Sequence, residues 1–382
     1  MDIVFHRPGL AHELALRLLD PPPVSAIRSG LFLAAPRRTG KSTFLKADLV
    51  PALEEAGAHV LYLDLWEDLE RDPAETIVAT VGEALAREKG AVARLLGELG
   101  NVESVAGGGF SVSVKRSDGG VSDVTIARGL AALSEELDRV IVLIIDEAQH
   151  ALTTEAGRRA LFGLKAARDA LNIDRPKGLR IVATGSSRDK LAMLRNAKQQ
   201  AFFGAPLTSF PPLGRDYVAW VIDQMDLATA LDADEVTRWF ERAGHRPELL
   251  AAALDAVVYD IGADRTTLAG RLESAIEQEV RASDEQQMRL VRALTPLQAA
   301  VLGELASTGS GYVPFAGASM ARYAATIRRI DPQDTTAPNG SNVQSALATL
   351  TRRGLVWSGE RGVYALEDAR LAELMRAEGM IE

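Results

Sequence analysis

The 382-residue chain contains no cysteine, which excludes disulfides, a thiol nucleophile and zinc–thiolate sites. That usage fits a reducing compartment. Histidine is also scarce: His6, His12, His59, His150 and His245 are scattered, and no H-E-x-x-H or Cys/His cluster points to catalytic zinc. The chain has no G-x-S-x-G elbow either, so acyl transfer has no support. No apolar run approaches the ~18–20 residues of a membrane helix. The N-terminus lacks the basic start and apolar core of a signal peptide. A cytoplasmic protein with no membrane contact is the expectation. Basic residues are outnumbered 43 to 52, giving a net charge of −9, which argues against wholesale coating of nucleic acid. Any such contact must be local.

What is present is an ordinary globular balance, 47% apolar and 25% charged, able to bury a sizeable core. At ~100–200 residues per domain, the length suggests two or three domains. Residues 9–19 (GLAHELALRLL) read as a short helix stopped by Pro21-Pro22-Pro23. From Ile27 short apolar runs alternate with helical stretches: LFLAA at 31–35, HVLYLDL at 59–65, VIVLIID at 140–146 and LRIVATG at 179–185. Runs apolar at every position suit parallel strands covered on both faces. The stretches Ala74–Lys89, Thr125–Leu137 and Ala156–Leu171 have helical spacing, so the pattern is α/β, built of βαβ units. Residues 100–122, with Gly107-Gly108-Gly109 and an alternating SVSVKR, interrupt it as an excursion or hairpin. After Phe210-Pro211-Pro212-Leu213 the strand-like runs stop, and 215–290 is helical in pattern.

Between the first apolar run and the helical start STFLKADLV lies Ala35-Pro36-Arg37-Arg38-Thr39-Gly40-Lys41-Ser42-Thr43. This is the G-x-x-x-x-G-K-[S/T] phosphate loop with Ala35 in place of its first glycine. A strand turning into a helix through such a loop aims consecutive backbone N–H groups at an anion. Gly40 permits close backbone approach to the phosphates. Lys41 places an ammonium on the β and γ phosphates, and the Ser42 hydroxyl is a ligand for Mg2+. The side chains of Arg37 and Arg38 are expected to point away.

The third apolar run ends in Asp146-Glu147. Two adjacent carboxylates at the end of a buried strand are hard to explain by packing. Beside a phosphate loop they divide the work: Asp146 binds Mg2+, and Glu147 orients and deprotonates the attacking water. The glutamate points to hydrolysis rather than binding alone. A nucleotide and Mg2+ are the expected ligands.

These segments resemble an AAA+ or STAND-type P-loop ATPase, of the bacterial and archaeal group that carries a C-terminal winged helix. APRRTGKST resembles the family's Walker A, IVLIIDEAQH its Walker B and HVLYLDLWED its second strand. FHRPGLAHEL is similar to an N-terminal box lying near the adenine and covers Phe5, Arg7 and Glu13; AGHRPELL resembles the helix start of the lid. The resemblance spans about residues 5–366. It implies a P-loop parallel sheet with helices on both faces (1–213), a helical lid (214–290) and a winged-helix domain with a C-terminal helix (291–382). It also implies ATP as the nucleotide, a sensor 1 side chain at Ser186, with Thr184 and Ser187 as rivals, and a sensor 2 at Arg246. Arg188 is either a surface arginine or one that reaches a neighbouring nucleotide in a homo-oligomer.

From about Leu294 the chain reads as helix (PLQAAVLGELA), polar loop 331–339, helix 341–353 and a β-wing, GLVWSGERGVYAL. Six arginines face four carboxylates between Leu294 and Leu366, a modest electrostatic footprint. Asn339, Ser341, Asn342 and Gln344 begin the candidate recognition helix, where Asn342 is placed to read base edges. Arg352, Arg353 and, in the wing, Arg361 suit phosphates. The module serves either DNA or a protein partner. Three functions follow: an ATPase acting on DNA or a DNA-bound partner, a slow, STAND-like signalling switch acting through proteins, or a nucleotide-dependent scaffold with no useful turnover.

Overall fold

A computed structural model describes residues 4–22, 24–91, 111–115, 121–173, 178–196, 200–260, 267–359 and 362–381. They form two compact units, Met1–Pro36 with Lys41–Phe210, and Arg37–Gly40 with Pro211–Glu382. The first unit begins with α1 (Pro8–Leu19), β1 (Leu31–Ala34), α2 (Lys41–Phe44), α3 (Val50–Glu55) and β2 (His59–Asp64). It continues through α4 (Pro73–Arg87), β3 (Ser111–Lys115), β4 (Val121–Thr125), α5 (Ile126–Leu137) and β5 (Ile141–Asp146). It closes with α6 (Glu155–Ile173), β6 (Leu179–Gly185), α7 (Arg188–Ala192) and β7 (Leu207–Ser209).

Five strands make one parallel sheet in the order β2-β5-β6-β1-β7. Every residue of β1, β5 and β6 is buried, which is why these runs carry no polar alternation. Leu31, Leu33, Val142, Ile144 and Val182 share one core with α1 and with Leu45, Leu49 and Leu53. The alternate positions Phe32, Leu143, Ile145, Ile181 and Ala183 are equally buried and belong to the other face. Helices α4 and α5 start on side-chain caps: Asp72 accepts from Ala74 N, and Thr125 from Arg128 N, satisfying donors that the first turn leaves open. The fold is α/β, a P-loop sheet covered on both faces.

Strand β7 departs from the expectation that strand-like runs number four. It has three residues, two of them exposed, and no apolar run announces it. Its place is fixed by pairing: Phe32 N donates to Pro206 O, and Phe210 N to Ala34 O. In the interruption, β3 and β4 pair antiparallel from Ser111↔Thr125 to Lys115↔Val121, a hairpin. The rest of 100–122, residues 100–110 and 116–120, lies outside the described residues.

Register is what builds the site. Asp64 lies opposite Asp146, Ile145 opposite Ala183 and Ala34 opposite Gly185, so all four strands end at one edge. Ligands of open parallel sheets bind outside such carboxyl ends. From β1 the chain runs straight into the phosphate loop and then α2, the strand–loop–helix order of P-loop proteins.

The second unit holds α8 (Arg215–Gln224), α9 (Ala233–Arg242), α10 (Pro247–Val258), α11 (Leu268–Arg292), α12 (Pro296–Thr308), α13 (Gly317–Ile330), α14 (Gly340–Arg352), β8 (Val356–Ser358), β9 (Tyr364–Leu366) and α15 (Arg370–Ala377). Helix α11 ends at Arg292 and α12 begins at Pro296. Helix α13, within a stretch for which no helix was foreseen, packs Tyr323 and Ile327 into a core with Val301, Leu305, Val343 and Leu347. With the antiparallel β8–β9 pair, α12, α13 and α14 give the three-helix-and-wing pattern of a winged helix.

Candidate active site at the carboxyl edge of the sheet

The phosphate-loop segment needs left-handed backbone twice, at Arg38 (φ 60°) and Gly40 (φ 80°). Only the second carries the residue for which that conformation costs nothing. Pro36, Arg37 and Arg38 are exposed, as is Thr43, while Thr39 is buried.

Lys41 follows, 5% exposed. Its ammonium pairs with Asp146 Oδ1, donates to Glu147 Oε1 at 2.8 Å and to Thr184 Oγ1 at 3.1 Å. Asp146, fully buried, accepts from Ser42 Oγ at 2.6 Å, from the Thr184 hydroxyl and from the Tyr62 hydroxyl at 3.1 Å. Glu147 sits at φ 51°, a turn that carries it off the strand. Its Oε2 accepts from Ser186 Oγ at 3.0 Å, Ser186 N at 3.3 Å and Gln149 Nε2 at 2.6 Å. A buried ammonium held by two carboxylates is tolerable because each charge is paired and hydrogen-bonded.

The electrostatics follow. Burial pushes the carboxyls of Asp146 and Glu147 up, but the Lys41 charge and the hydrogen bonds outweigh it and hold both below the ordinary carboxylate range. Burial, with the Asp146 charge second, pushes the Tyr62 hydroxyl far up, so it stays a donor. Depressed carboxyls stabilise the fold above the unfolded carboxylate range of ~4 and lose that contribution as pH falls through their folded values. Comparing parent with Glu147→Gln by thermal melts in EDTA, we expect the largest difference near neutrality and a shrinking one below about pH 4. A difference independent of pH would remove Glu147 from the ion-paired cluster.

Of the sensor positions along β6 and its end, Thr184 joins Lys41 and Asp146, Ser186 joins Glu147, and Ser187 caps α7 by accepting from Lys190 N. Arg188 is exposed and donates to Ser209 Oγ and Leu207 O. Arg7 lies over the rings of Phe210 and Phe44, 5.1 and 5.9 Å from their centroids. Its backbone N donates to Asp48, which also pairs with His6. Glu13 pairs with Arg17 on the surface. Arg246 belongs to the second unit, at the start of α10, where it donates to Ala243 O and Ser283 Oγ.

Two residues of the cluster went unforeseen. Tyr62 is the single hydroxyl in an otherwise apolar half of HVLYLDL, two places before Asp64 and on the same strand face; that pairing of a phenol with a strand-end acid is a usable signal. Gln149 stands in IVLIIDEAQH, yet nothing in spacing alone gives it a role.

In the second unit, Asn342 does not present its side chain. It closes the N-terminal cap of α14, accepting from Asn339 N at 2.8 Å and donating to Ala337 O at 3.0 Å. Ser341 and Gln344 are the exposed polar residues of that turn, and Arg352 and Arg353 are exposed at its end. Arg361 lies outside the described residues. No helix among the described residues is long and apolar enough to cross a membrane.

Comparison with known proteins adds the following. No protein-family model matches the chain, and no curated protein matches it. Among solved structures, it is similar to the Walker-type ATPase PABY2304 of Pyrococcus abyssi, with 16% identity, 97% of this chain and 96% of that one covered, and a TM-score of 0.48. The ORC2 protein of Aeropyrum pernix, solved in ADPNP–ADP complexes, matches at 16% identity over 98% and 96%, with a TM-score of 0.48. AMPPCP-bound DnaA from Aquifex aeolicus matches at 13% over 92% and 90%, with a TM-score of 0.38.

Proposed function

We propose that the chain binds and hydrolyses Mg-ATP as an AAA+-type ATPase and acts on DNA or a DNA-bound partner through its second unit. The observation that carries this reading is the meeting of Lys41, Ser42, Asp146 and Glu147, drawn from positions over a hundred residues apart, at the carboxyl edge of a P-loop sheet. An ion-paired structural role does not require a hydroxyl, a second carboxylate and a buried ammonium together beside a left-handed glycine loop.

The chain's own residues supply each role. Backbone N–H groups of the loop cradle phosphate oxygens. The Lys41 ammonium, paired with Asp146 and Glu147, supplies positive charge to the β and γ phosphates. Glu147 Oε1 accepts a proton from the attacking water. Ser42 Oγ and Asp146 Oδ2, 2.6 Å apart, are adjacent hard oxygen donors of the kind that would hold Mg2+. When bound, the ion neutralises charge developing on the phosphates. Thr184 and Ser186 keep the two carboxylates apart and oriented.

DNA contact in this reading rests on a few arginines. Replacing Arg352 and Arg353 together with alanine is expected to weaken duplex binding about equally across sequences. It should also lower the slope of log affinity against log salt by ~0.9 for each phosphate that is no longer neutralised. Fluorescence anisotropy at several salt concentrations reads both. ATPase rate against protein concentration, with and without duplex, tests the reading as a whole: stimulation by DNA and a rate per chain rising with concentration support an oligomeric ATPase on DNA. Slow, unstimulated turnover, with no duplex binding, supports the signalling switch.

A further inference from the structure

We propose that Gln149 is a positioning residue for ATP hydrolysis: it and Ser186 fix Glu147 Oε2, so that Oε1 is the oxygen that takes the proton from water. The inference rests on the reading of Glu147 as the base, and it deepens that reading by separating the two oxygens.

The geometry is specific. Gln149 is fully buried, two residues beyond Glu147, and its Nε2 donates to Glu147 Oε2 at 2.6 Å. Ser186 reaches the same oxygen with its hydroxyl and its backbone N–H. Glu147 Oε2 therefore has three donors, all from the protein. Oε1 has one described partner, the Lys41 ammonium. The amide orientation follows from chemistry, since the opposite one would set a carbonyl oxygen against a carboxylate.

The amide has a dedicated place. Its own Oε1 is buried without a hydrogen-bond partner and rests against Gly185, where an added Cβ would collide with that oxygen and with Leu191. A glutamine serving only to fill space would not leave a buried carbonyl unsatisfied, which is destabilising. The glycine, the buried amide and the serine after the glycine form one holder around one oxygen.

Gln149→Met keeps the length and volume and removes the donor. ATP affinity, read by equilibrium titration, should match the parent. Single-turnover phosphate release should slow ~10–100-fold, the range for a misplaced catalytic group. Repeating the substitution in a Glu147→Gln background supplies the readout that a structural role would not move: there the further loss should be under about 2-fold, because the base it positions is gone. Gly185→Ala, which displaces the amide from the other side, should reproduce the slow turnover if Gln149→Met fails to fold. Equal losses in both backgrounds, or parental turnover in Gln149→Met, would overturn the inference while leaving the ATPase reading intact. A parent chain that binds ATP and releases no phosphate would overturn both.

Discussion

Lys41→Ala is expected to lose ATP affinity by at least ~100-fold. Hydrogen bonds to charged groups contribute ~1.5–3 kcal/mol each, and two phosphates lose such a bond together, while each ~1.4 kcal/mol is a factor of ten. A second effect adds to it. With the ammonium gone, Asp146 and Glu147 face the phosphates as uncompensated negative charge. Because Lys41 is buried between them, the substitution also costs stability, by ~3–5 kcal/mol for one partner of a buried pair. Lys41→Arg separates the two effects. It retains the cation, and with it most of the fold's stability, but its broad planar head cannot follow the ammonium from carboxylate to phosphate. Weak binding in a variant with near-parental melting isolates the phosphate role. Parental ATP affinity in either folded variant would show that the loop is not the nucleotide site.

The second large effect is expected at Glu147. Glu147→Gln should keep Mg-ATP affinity within a few-fold and lose ~10²–10⁴ in turnover, the range for removing a general base. The amide is isosteric, accepts no proton, and can still receive the Ser186 hydrogen bonds on its carbonyl, so the nucleotide site stays built. Rapid-quench measurement of phosphate release is the readout. Turnover within about 2-fold of the parent would assign the base elsewhere, with Asp64, half-buried across from Asp146, the next carboxylate to examine.

Much of the fold was open to reading because its strands are buried on both faces. Such strands are dominated by Val, Ile, Leu, Ala and Phe, and the runs at 31–35, 59–65, 140–146 and 179–185 stand out against amphipathic helices. Where burial is one-sided or partial the signal fades. Strand β7 pairs through three residues with two exposed. Helix α13 buries only Ser319, Tyr323 and Ile327, a sparse stripe among alanines.

The site divides in the same way. Lys41, Ser42, Asp146 and Glu147 could be found because phosphate and metal chemistry demands those residue types at fixed spacing. Gln149 acts on its carboxylate through a single turn of backbone, a relation that no linear spacing encodes. Asn342 shows the reverse case. Its position at a helix start suggested base reading, yet the same position lets it close a capping box with Asn339, and the cap consumes both ends of its amide.

ATP hydrolysis at this site is tested most directly by a single turnover of the parent protein, in excess over Mg-ATP, followed by separation of bound nucleotide from phosphate. ATP bound through the Lys41 loop should be converted to ADP with one phosphate released per nucleotide, and Glu147→Gln should retain the same nucleotide intact. Recovery of unhydrolysed ATP from the parent, over times long enough for many expected turnovers, would contradict hydrolysis and leave a nucleotide-binding scaffold in place of an ATPase.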